Sequence, residues 1–341
     1  MKTEGGTVER VFISWVPHHG RSSALADKLS ARPIYVYPTV SPSLLRYLPS
    51  AITTVRILRQ LKPSTVICML PPFPLLLVCW AYCHLTKAAL IADAHSGAFN
   101  DKKWQWTTRW VLRLLQGHIL IVTNKDIAPS AFEEGSKTHA VVLHDALASR
   151  PATAQRNDVR ERVQKSVRPR YVLFPASYAS DEPISNVIAA ATLCPELKWV
   201  LTGNPKSDIG SACPPNVEFT GFLQENEYDK ALDEASVVLA LTNRDATMQR
   251  AGYEALLAGR PLVASDTSVL KEFHGSSALY TDNTPEDIRD KVRMAVENQF
   301  TLEQNSRVIL RERYQQQVAV VESLSQLMSE RQRQSREAPR G

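Results

Sequence analysis

The chain has 341 residues, of which 44% are hydrophobic and 22% charged, and its formal net charge is +5. This length exceeds one typical domain and suits two of about 150 to 170 residues each. The mild positive charge does not by itself indicate a nucleic-acid-binding protein. The five cysteines lie mostly in apolar runs without a C-x-x-C pair, which predicts buried, reduced thiols rather than disulfides or metal ligands.

The sequence shows no signal peptide and no obvious membrane span. Its most apolar stretch, Leu70–Leu85, contains three prolines near its start and is shorter than the roughly 20 residues that a spanning helix needs. We therefore expect a buried core helix in this stretch and a cytoplasmic protein.

The first half of the chain alternates short Val- and Ile-rich runs with helical patterns, which predicts parallel β-α-β units. The predicted strands cover residues 11–16, 33–40, 64–70, 88–95, 118–124 and 140–146. The predicted helices cover residues 22–30, 48–62, 73–87 and 104–117.

The alternation stops at a polar, basic segment and then starts again. Strands are predicted at 171–177, 198–204, 217–222, 237–242 and 261–266, and helices at 183–195, 224–236, 249–259, 284–298 and 307–330. The class is therefore α/β, with two doubly wound domains at residues 1–150 and 171–330. Residues 151–170 are predicted to form a linker, and residues 331–341, which lack apolar side chains other than one alanine, a disordered tail.

Polar and charged residues are crowded at one predicted junction between a strand and a helix, Thr242–Glu254. The helix is expected to begin near Thr247 or Met248, where free backbone N–H groups favour an anion. Thr247, Gln249 and Arg250 would then meet a phosphate, and Glu254, on the same helix face as Thr247 and Arg250, would accept hydrogen bonds from neighbouring hydroxyls. The alternative is an exposed helix start whose charges pair with each other.

The same region carries a family resemblance. The motifs "EFTGF", "EASVVLALT", "YEALLAGRPLVAS" and "TPEDI" follow one another between Val217 and Ile288. In this order they resemble the C-terminal half of family 4 glycosyltransferases, group 1, which have the GT-B fold. The resemblance implies two Rossmann-like domains facing across a cleft, with an acceptor in domain 1–150 and a nucleotide diphosphate sugar in domain 171–330. It also places Glu254 on the ribose.

The sequence departs from the family pattern at two places. The first of two family glutamates falls on Ala246, so we expect the adjacent Asp245 to contact the sugar hydroxyls. The family's basic loop after the first strand of the second domain is replaced by "PASYASDEPISN", which has Asp181 and Glu182 and no cation. We expect Arg244 and Arg250 to supply the missing positive charge and Ser177 to assist. A non-catalytic homologue or a structural ion-pair cluster are the alternatives.

Candidate residues of the first domain follow two strands. In "LIADAHSGAF", His95 corresponds to the family's site histidine. Asp93 is expected to orient it or meet the acceptor hydroxyl, and Ser96 to line the acceptor site. In "WVPHHGRSS", Arg21 would hold an acceptor phosphate beside His19. The alternative is a strand end whose polar side chains are satisfied internally. No metal is predicted, because the histidine pair lacks further ligands at suitable spacing and no D-x-D motif occurs.

Two helical segments of the first domain contain basic and apolar residues without acids. Residues 41–62 contain four cations and residues 102–115 contain four cations and three tryptophans. This combination is typical of peripheral contact with an anionic membrane, which would imply a lipid-linked acceptor. The alternative is core packing with solvated charge.

The expected activity is transfer of a hexose-type sugar from a nucleotide diphosphate sugar to a hydroxyl of a glycan or lipid-linked glycan, as in polysaccharide biosynthesis. The resemblance implies a retaining enzyme, and the missing D-x-D motif predicts that it needs no metal. We expect no cofactor and a location at the cytoplasmic face of a membrane. No nucleic-acid partner is expected. Two other functions stay open: a non-catalytic GT-B subunit that binds a partner glycosyltransferase, and a sugar-nucleotide epimerase.

Overall fold

The computed structural model describes residues 9–17, 20–38, 45–100, 102–145, 171–205 and 213–337. The chain divides into two compact units, Met1–Ala146 with Gln316–Gly341, and Leu147–Gln315. The linker predicted at 151–170 and the candidate His19 lie outside the described residues.

The first unit contains a six-stranded sheet of order β2-β1-β3-β4-β5-β6 in which all pairs are parallel. Its strands are β1 (Arg10–Ser14), β2 (Arg32–Tyr35), β3 (Thr65–Leu70), β4 (Ala89–Ala94), β5 (Ile119–Val122) and β6 (His139–Val142). Its first five helices are α1 (Gly20–Lys28), α2 (Tyr47–Leu61), α3 (Phe73–Thr86), α4 (Gly97–Asn100) and α5 (Thr108–Leu114).

Helices cover both faces of this sheet, which explains the continuous apolar runs of its central strands. Every residue of β3 and β4 is buried. Side chains of α2, α3 and α5 form one core with one face of the sheet. Side chains of α1 pack on the other face together with Leu324 and Met328 from the C-terminal helix.

The second unit contains another parallel six-stranded sheet, of order β12-β11-β10-β7-β8-β9. Its strands are β7 (Tyr171–Phe174), β8 (Lys198–Thr202), β9 (Val217–Gly221), β10 (Val237–Ala240), β11 (Leu262–Ser265) and β12 (Ala278–Thr281). The remaining helices are α6 (Ile184–Thr192), α7 (Glu225–Glu234), α8 (Arg250–Ala258), α9 (Ser268–His274), α10 (Pro285–Glu297) and α11 (Gln299–Glu337).

Counted within the unit, this strand order is 3-2-1-4-5-6, the doubly wound order of dinucleotide-binding domains. The order reverses between β7 and β10, which are neighbours in the sheet. In such sheets ligands bind beyond the carboxyl ends of the strands at this reversal. The predicted α/β class and its two Rossmann-like domains are confirmed.

The C-terminal end of the chain differs from the prediction. A single helix, α11, continues from Gln299 through Glu337, although residues 331–341 were expected to be disordered. From Gln316 onward it belongs to the first unit, and not to the second, because Leu324 and Met328 are buried against the first sheet. The sequence patterns also missed α9 and β12, which are short.

The apolar residues are placed largely as expected. Four of the five cysteines, Cys68, Cys79, Cys83 and Cys194, are buried. The apolar stretch 70–85 forms β3's end and helix α3. Among the described residues, no helix is long and apolar enough to cross a membrane.

Candidate active site

The carboxyl ends of β7 and β10 carry the polar residues that the sequence singled out in the second unit. The loop 175–183 follows β7 and the loop 241–249 follows β10. Thr242 donates a hydrogen bond from Oγ1 to Asp181 Oδ2 at 2.8 Å, and the Asn243 amide donates to the Asp181 carbonyl at 2.7 Å. Asp181 therefore ties the two loops together at the point where the strand order reverses.

Glu182 occupies the hydrogen-bond donors of Ser177. Its carboxylate accepts from the Ser177 amide at 3.0 Å and from the Ser177 hydroxyl at 2.7 Å. A backbone N–H and a hydroxyl at the end of a parallel strand are suitable donors for a phosphate. The Glu182 carboxylate therefore occupies the two donors of Ser177 that a phosphate would otherwise bind.

Both candidate arginines lie at this edge, and each faces a carboxylate. Arg244 Nη1 is 3.6 Å from Asp181 Oδ1, and Arg250 Nε donates to Glu254 Oε1 at 2.7 Å. The Arg250 side chain is 80% exposed. The ion-pair arrangement that the sequence left as an alternative is thus present. The Arg250–Glu254 pair, which reaches solvent, is worth about 0–1 kcal/mol, so a phosphate can exchange with Glu254 at small cost. Asp181 is buried, and only its partner Arg244 is exposed.

The helix begins later than predicted. Gln249 is the residue preceding α8, and α8 starts at Arg250 rather than near Thr247. Ala246 has a φ of 52°, a left-handed backbone that turns the chain before the helix. Thr247 therefore lies in the loop, where its hydroxyl donates to the Asp245 carbonyl at 3.2 Å, and it does not share a helix face with Arg250 and Glu254.

Of the two remaining candidates in this loop, Gln249 is hydrogen-bonded to the backbone and Asp245 is exposed. Gln249 Nε2 donates to the Leu241 carbonyl at 3.2 Å and so fixes the end of β10 to the start of α8. Asp245 is exposed to solvent. The α8 N-terminus has no side-chain cap, so its first N–H groups are candidates for binding an anion.

Glu254 is held at both carboxylate oxygens. Arg250 contacts Oε1, and the hydroxyl of Tyr228, from α7, donates a very short hydrogen bond to Oε2. Burial raises the pKa of Tyr228, and the Glu254 charge raises it further, so the phenol stays a proton donor. Each oxygen of Glu254 keeps a lone pair for another hydroxyl. Sequence reasoning missed Tyr228, because its spacing from Glu254 along the chain carries no periodic signal.

In the first unit, Arg21 is the centre of a buried charge network. Arg21 Nη2 is 2.8 Å from Asp93 Oδ1 and 2.9 Å from the Leu143 carbonyl, and Nη1 is 2.9 Å from Asp145 Oδ1. The predicted role of Arg21 as a ligand of an acceptor phosphate is therefore wrong for this arrangement. Its guanidinium points into the protein, where it holds the ends of β4 and β6 together.

Asp93 and His95 lie together at the end of β4, as expected from their spacing. His95 Nε2 is 3.3 Å from Asp93 Oδ2. Burial alone would raise the pKa of Asp93, but the Arg21 charge and His95 outweigh it and hold the pKa well below its usual value. Asp93 is therefore an ionised partner that orients His95, and it is too acidic to deliver a proton near neutral pH.

The backbone fixes His95 at this strand end. Its amide donates to the Leu70 carbonyl of β3 at 2.9 Å, and its carbonyl accepts from Ala98 at 2.8 Å. His95 and Ser96 are both partly exposed, so they can contact a ligand. Among the described residues, no group of three His, Cys, Asp or Glu side chains is placed to hold a metal ion.

Residues 170–298, which make up most of the second unit, match the family model "Glycosyl transferases group 1". This chain resembles the group 1 glycosyltransferases. No curated protein matches it at a significant level by sequence.

Solved structures with the same two-domain fold cover nearly the whole chain. HepE from Anabaena, solved with UDP and glucose, has a TM-score of 0.69 and 13% identity over 95% of this chain and 100% of its own. Sucrose-phosphate synthase from Thermosynechococcus elongatus has a TM-score of 0.68 and 14% identity over 94% and 99%. UDP-GlcNAc 2-epimerase from Neisseria meningitidis has a TM-score of 0.59 and 10% identity over 94% and 98%.

The matched segment contains the second-unit residues described above. Ser177, Asp181, Tyr228, Arg250 and Glu254 all fall within residues 170–298. The group 1 resemblance expected from the motifs is confirmed for residues 170–298. At identities of 10–14% the solved structures establish the GT-B fold alone.

Proposed function

We propose that this protein is a glycosyltransferase that uses a nucleotide diphosphate sugar and transfers the sugar to a hydroxyl of a glycan or lipid-linked glycan. The observation that carries the proposal is the cluster at the strand-order reversal of the second unit. There, two loops and an uncapped helix start gather Arg244, Arg250, Glu254 and Ser177 within the segment that matches the group 1 family. HepE, which has the same fold, was solved with UDP and glucose.

Each proposed contact uses a group whose chemistry suits it. Breaking the bond between the anomeric carbon and the diphosphate leaves negative charge on the diphosphate. Arg244, Arg250 and the first N–H groups of α8 would stabilise that charge once the arginines exchange their carboxylate partners for phosphate. Glu254, positioned by Tyr228, would accept hydrogen bonds from the ribose hydroxyls.

In the first unit, the proposal assigns sugar and acceptor recognition to the end of β4. His95, oriented by Asp93, would hydrogen-bond a hydroxyl, and Ser96 lies beside it. Asp245 of the second unit is kept as a candidate for contact with the transferred sugar. Arg21 is a positioning residue in this proposal, because it contacts Asp93 and not the solvent.

The finer chemistry belongs to the proposal as well. Retention of configuration follows from the family resemblance. Metal independence follows from a diphosphate site built from arginines and backbone N–H groups, which can neutralise the leaving group. A cytoplasmic location and a role in polysaccharide biosynthesis are part of the same proposal.

Calorimetry with a panel of nucleoside diphosphates and their sugars tests the donor site directly. The wild type should bind at least one of them, and Arg250→Gln should bind it about tenfold more weakly through loss of a charge-assisted contact. Arg311→Gln, at an exposed arginine of α11, is the matched control and should bind like the wild type. If no nucleotide binds, the non-catalytic subunit is the correct alternative.

A turnover assay distinguishes a glycosyltransferase from the remaining alternative, a sugar-nucleotide epimerase. With the bound donor and a panel of glycan acceptors, product NMR should show transfer with the donor's anomeric configuration, and EDTA should not lower the rate. Conversion of the donor into an epimer in the absence of any acceptor would instead identify the epimerase, a class that includes solved proteins of this fold.

A further inference from the structure

The outer surface of α2, α3 and α5 in the first unit is apolar and cationic. These three helices share one core with the sheet, and α3 packs against both of the others. Their outward side chains include several large apolar ones, which is unusual for helices that face solvent. The exposed apolar side chains of these helices and of the turns just before α2 and α5 are Leu45, Leu48, Ile52, Leu77, Leu85, Trp106 and Trp110. We call this surface the outer helix face.

The exposed apolar residues repeat at helical spacing, so they form stripes. Leu48 and Ile52 are four residues apart on α2, whereas Trp106 lies in the 3-10 turn that leads into α5 and Trp110 lies in α5 itself. Leu77 and Leu85 are eight residues apart on α3, with the exposed Ala81 between them. Leu85 is 81% exposed and Trp106 69%. Residues four apart share one side of a helix, so a flat partner can contact each stripe at once.

The three helices carry charge of one sign. No aspartate or glutamate occurs in residues 46–92 or in residues 102–125, although 35 of the 341 residues are acidic. The cations of these segments are Arg46, Arg56, Arg59, Lys62, Lys87, Lys102, Lys103, Arg109, Arg113 and Lys125. A partner of this face must therefore offer negative charge together with an apolar layer.

Aromatic and cationic side chains are combined at one end of the face. The Arg113 guanidinium lies 5.4 Å from the centre of the Trp110 ring, and Lys103 Nζ lies 5.1 Å from that of Trp104. Arg109, Arg113 and Lys137 line a surface cavity of about 350 Å³ that no acidic side chain lines. Tryptophan beside lysine and arginine is typical of surfaces that sit at the headgroup level of a bilayer.

We infer that the outer helix face docks on an anionic lipid bilayer, with Trp106, Trp110, Leu77 and Leu85 entering the headgroup region and the surrounding cations contacting lipid phosphates. The cavity at Arg109 and Arg113 is the place for one headgroup phosphate. A second copy of the chain fits less well, because a symmetric contact would set these cations against themselves. The inference does not depend on the proposed sugar transfer, since lipid binding is measured without donor or acceptor.

Vesicle co-sedimentation of the full-length chain tests the inference. Vesicles of phosphatidylcholine with 30% phosphatidylglycerol should bind the protein, vesicles of phosphatidylcholine alone should not, and added NaCl should weaken binding. Excess inorganic phosphate at matched ionic strength should not release the protein. Binding to both vesicle types alike, or release by inorganic phosphate, would overturn the bilayer as the partner.

Paired substitutions separate the two contributions. Arg56→Gln with Arg59→Gln should weaken vesicle binding about 30-fold, since each cation near an anionic surface contributes about 1 kcal/mol. Trp106→Ser with Trp110→Ser should reduce binding at high salt as well as at low salt, because the contact that they lose is apolar. All four side chains are exposed, so these variants should fold.

Control substitutions at equally exposed positions outside the face complete the test. Phe222→Ser, Phe300→Ser and Arg311→Gln change exposed side chains and should bind vesicles like the wild type. If the controls weaken binding as much as the paired variants do, or if the wild type binds no vesicles and self-associates in gel filtration, the inference is wrong. Thermal unfolding of every variant confirms that lost binding is not lost structure.

Discussion

The hydroxyl of Tyr228 on α7 donates a hydrogen bond to the carboxylate of Glu254 on α8. The opposite oxygen of the same carboxylate accepts from Arg250. Glu254 is thereby fixed from two sides at the edge of the sheet where the strand order reverses. A carboxylate with a fixed orientation recognises a pair of hydroxyls better than a mobile one, because less side-chain freedom is lost on binding.

Tyr228→Phe removes only this hydroxyl. We expect the affinity for the preferred nucleoside diphosphate to fall about tenfold, because Glu254 loses a charge-assisted hydrogen bond that positions it. Binding of inorganic pyrophosphate, which has no ribose, should be unchanged. Calorimetry with both ligands measures the difference. Tyr280→Phe is the control, since it deletes a comparable hydrogen bond, to the Gly275 carbonyl, elsewhere in the unit. Equal losses for both ligands would contradict a ribose-specific role.

Glu182→Ala should strengthen diphosphate binding. The Glu182 carboxylate holds the amide and the hydroxyl of Ser177, and displacing a hydrogen bond to a charged group costs about 1.5 kcal/mol. Removing the carboxylate should raise nucleoside diphosphate affinity about tenfold. Glu312→Gln, at an exposed acid of α11, controls for the change in net charge. Unchanged or weaker binding in Glu182→Ala would place the diphosphate away from Ser177.

Arg21→Met should destabilise the first unit strongly. Asp93 is fully buried and depends on Arg21 for its charge, and breaking a buried pair by removing one partner costs about 3–5 kcal/mol. Urea unfolding followed by circular dichroism gives this value. Arg32→Met, at an exposed arginine of β2, should change stability by less than about 0.5 kcal/mol. A small loss in Arg21→Met would mean that Asp93 does not rely on this pair.

The low pKa of Asp93 predicts how stability depends on pH. A carboxyl group whose folded-state pKa lies below its unfolded value, about 3.9, contributes its full stability above that value and loses it as the pH falls through the folded-state pKa. The wild type should therefore lose stability steeply with acid below about pH 4. Asp93→Asn should show a shallower loss in that range. Parallel acid profiles for the two proteins would contradict the depressed pKa.

Gly203→Ala tests the backbone that supports the Ser177 loop. A Cβ at Gly203, where φ is +83°, would lie 2.1 Å from the Ala176 carbonyl oxygen. We expect a loss of about 2 kcal/mol or more from clash and strain together. Gly135→Ala is closely matched, because Gly135 has a φ of +84° but nothing within 4 Å of the added carbon. It should cost only about 1 kcal/mol from the left-handed backbone. Equal losses would show that the close approach to Ala176 is not restrictive.

Much of the fold can be predicted from local sequence patterns. The apolar runs of β3 and β4 predict strands that are buried on both faces of a parallel sheet. The helical spacing of apolar residues predicts α2. The start of α8 at Arg250 was predicted two to three residues too early. Its position depends on the left-handed Ala246 and on Gln249 reaching Leu241, and neither is a periodic signal.

The sequence by itself determined the alternation of strands and helices, the two-domain organisation and the residue types at the strand ends. Only the tertiary structure decided which of those residues meet. Arg21 and Asp93 are 72 positions apart, and Thr242 and Asp181 are 61 apart. The order of the strands in the sheet brings such pairs together, and local sequence patterns do not reveal that order. For that reason the residues were found as candidates, whereas the pairing of Arg21 with Asp93 and of Arg244 with Asp181, and the tyrosine that holds Glu254, appeared only in the folded chain.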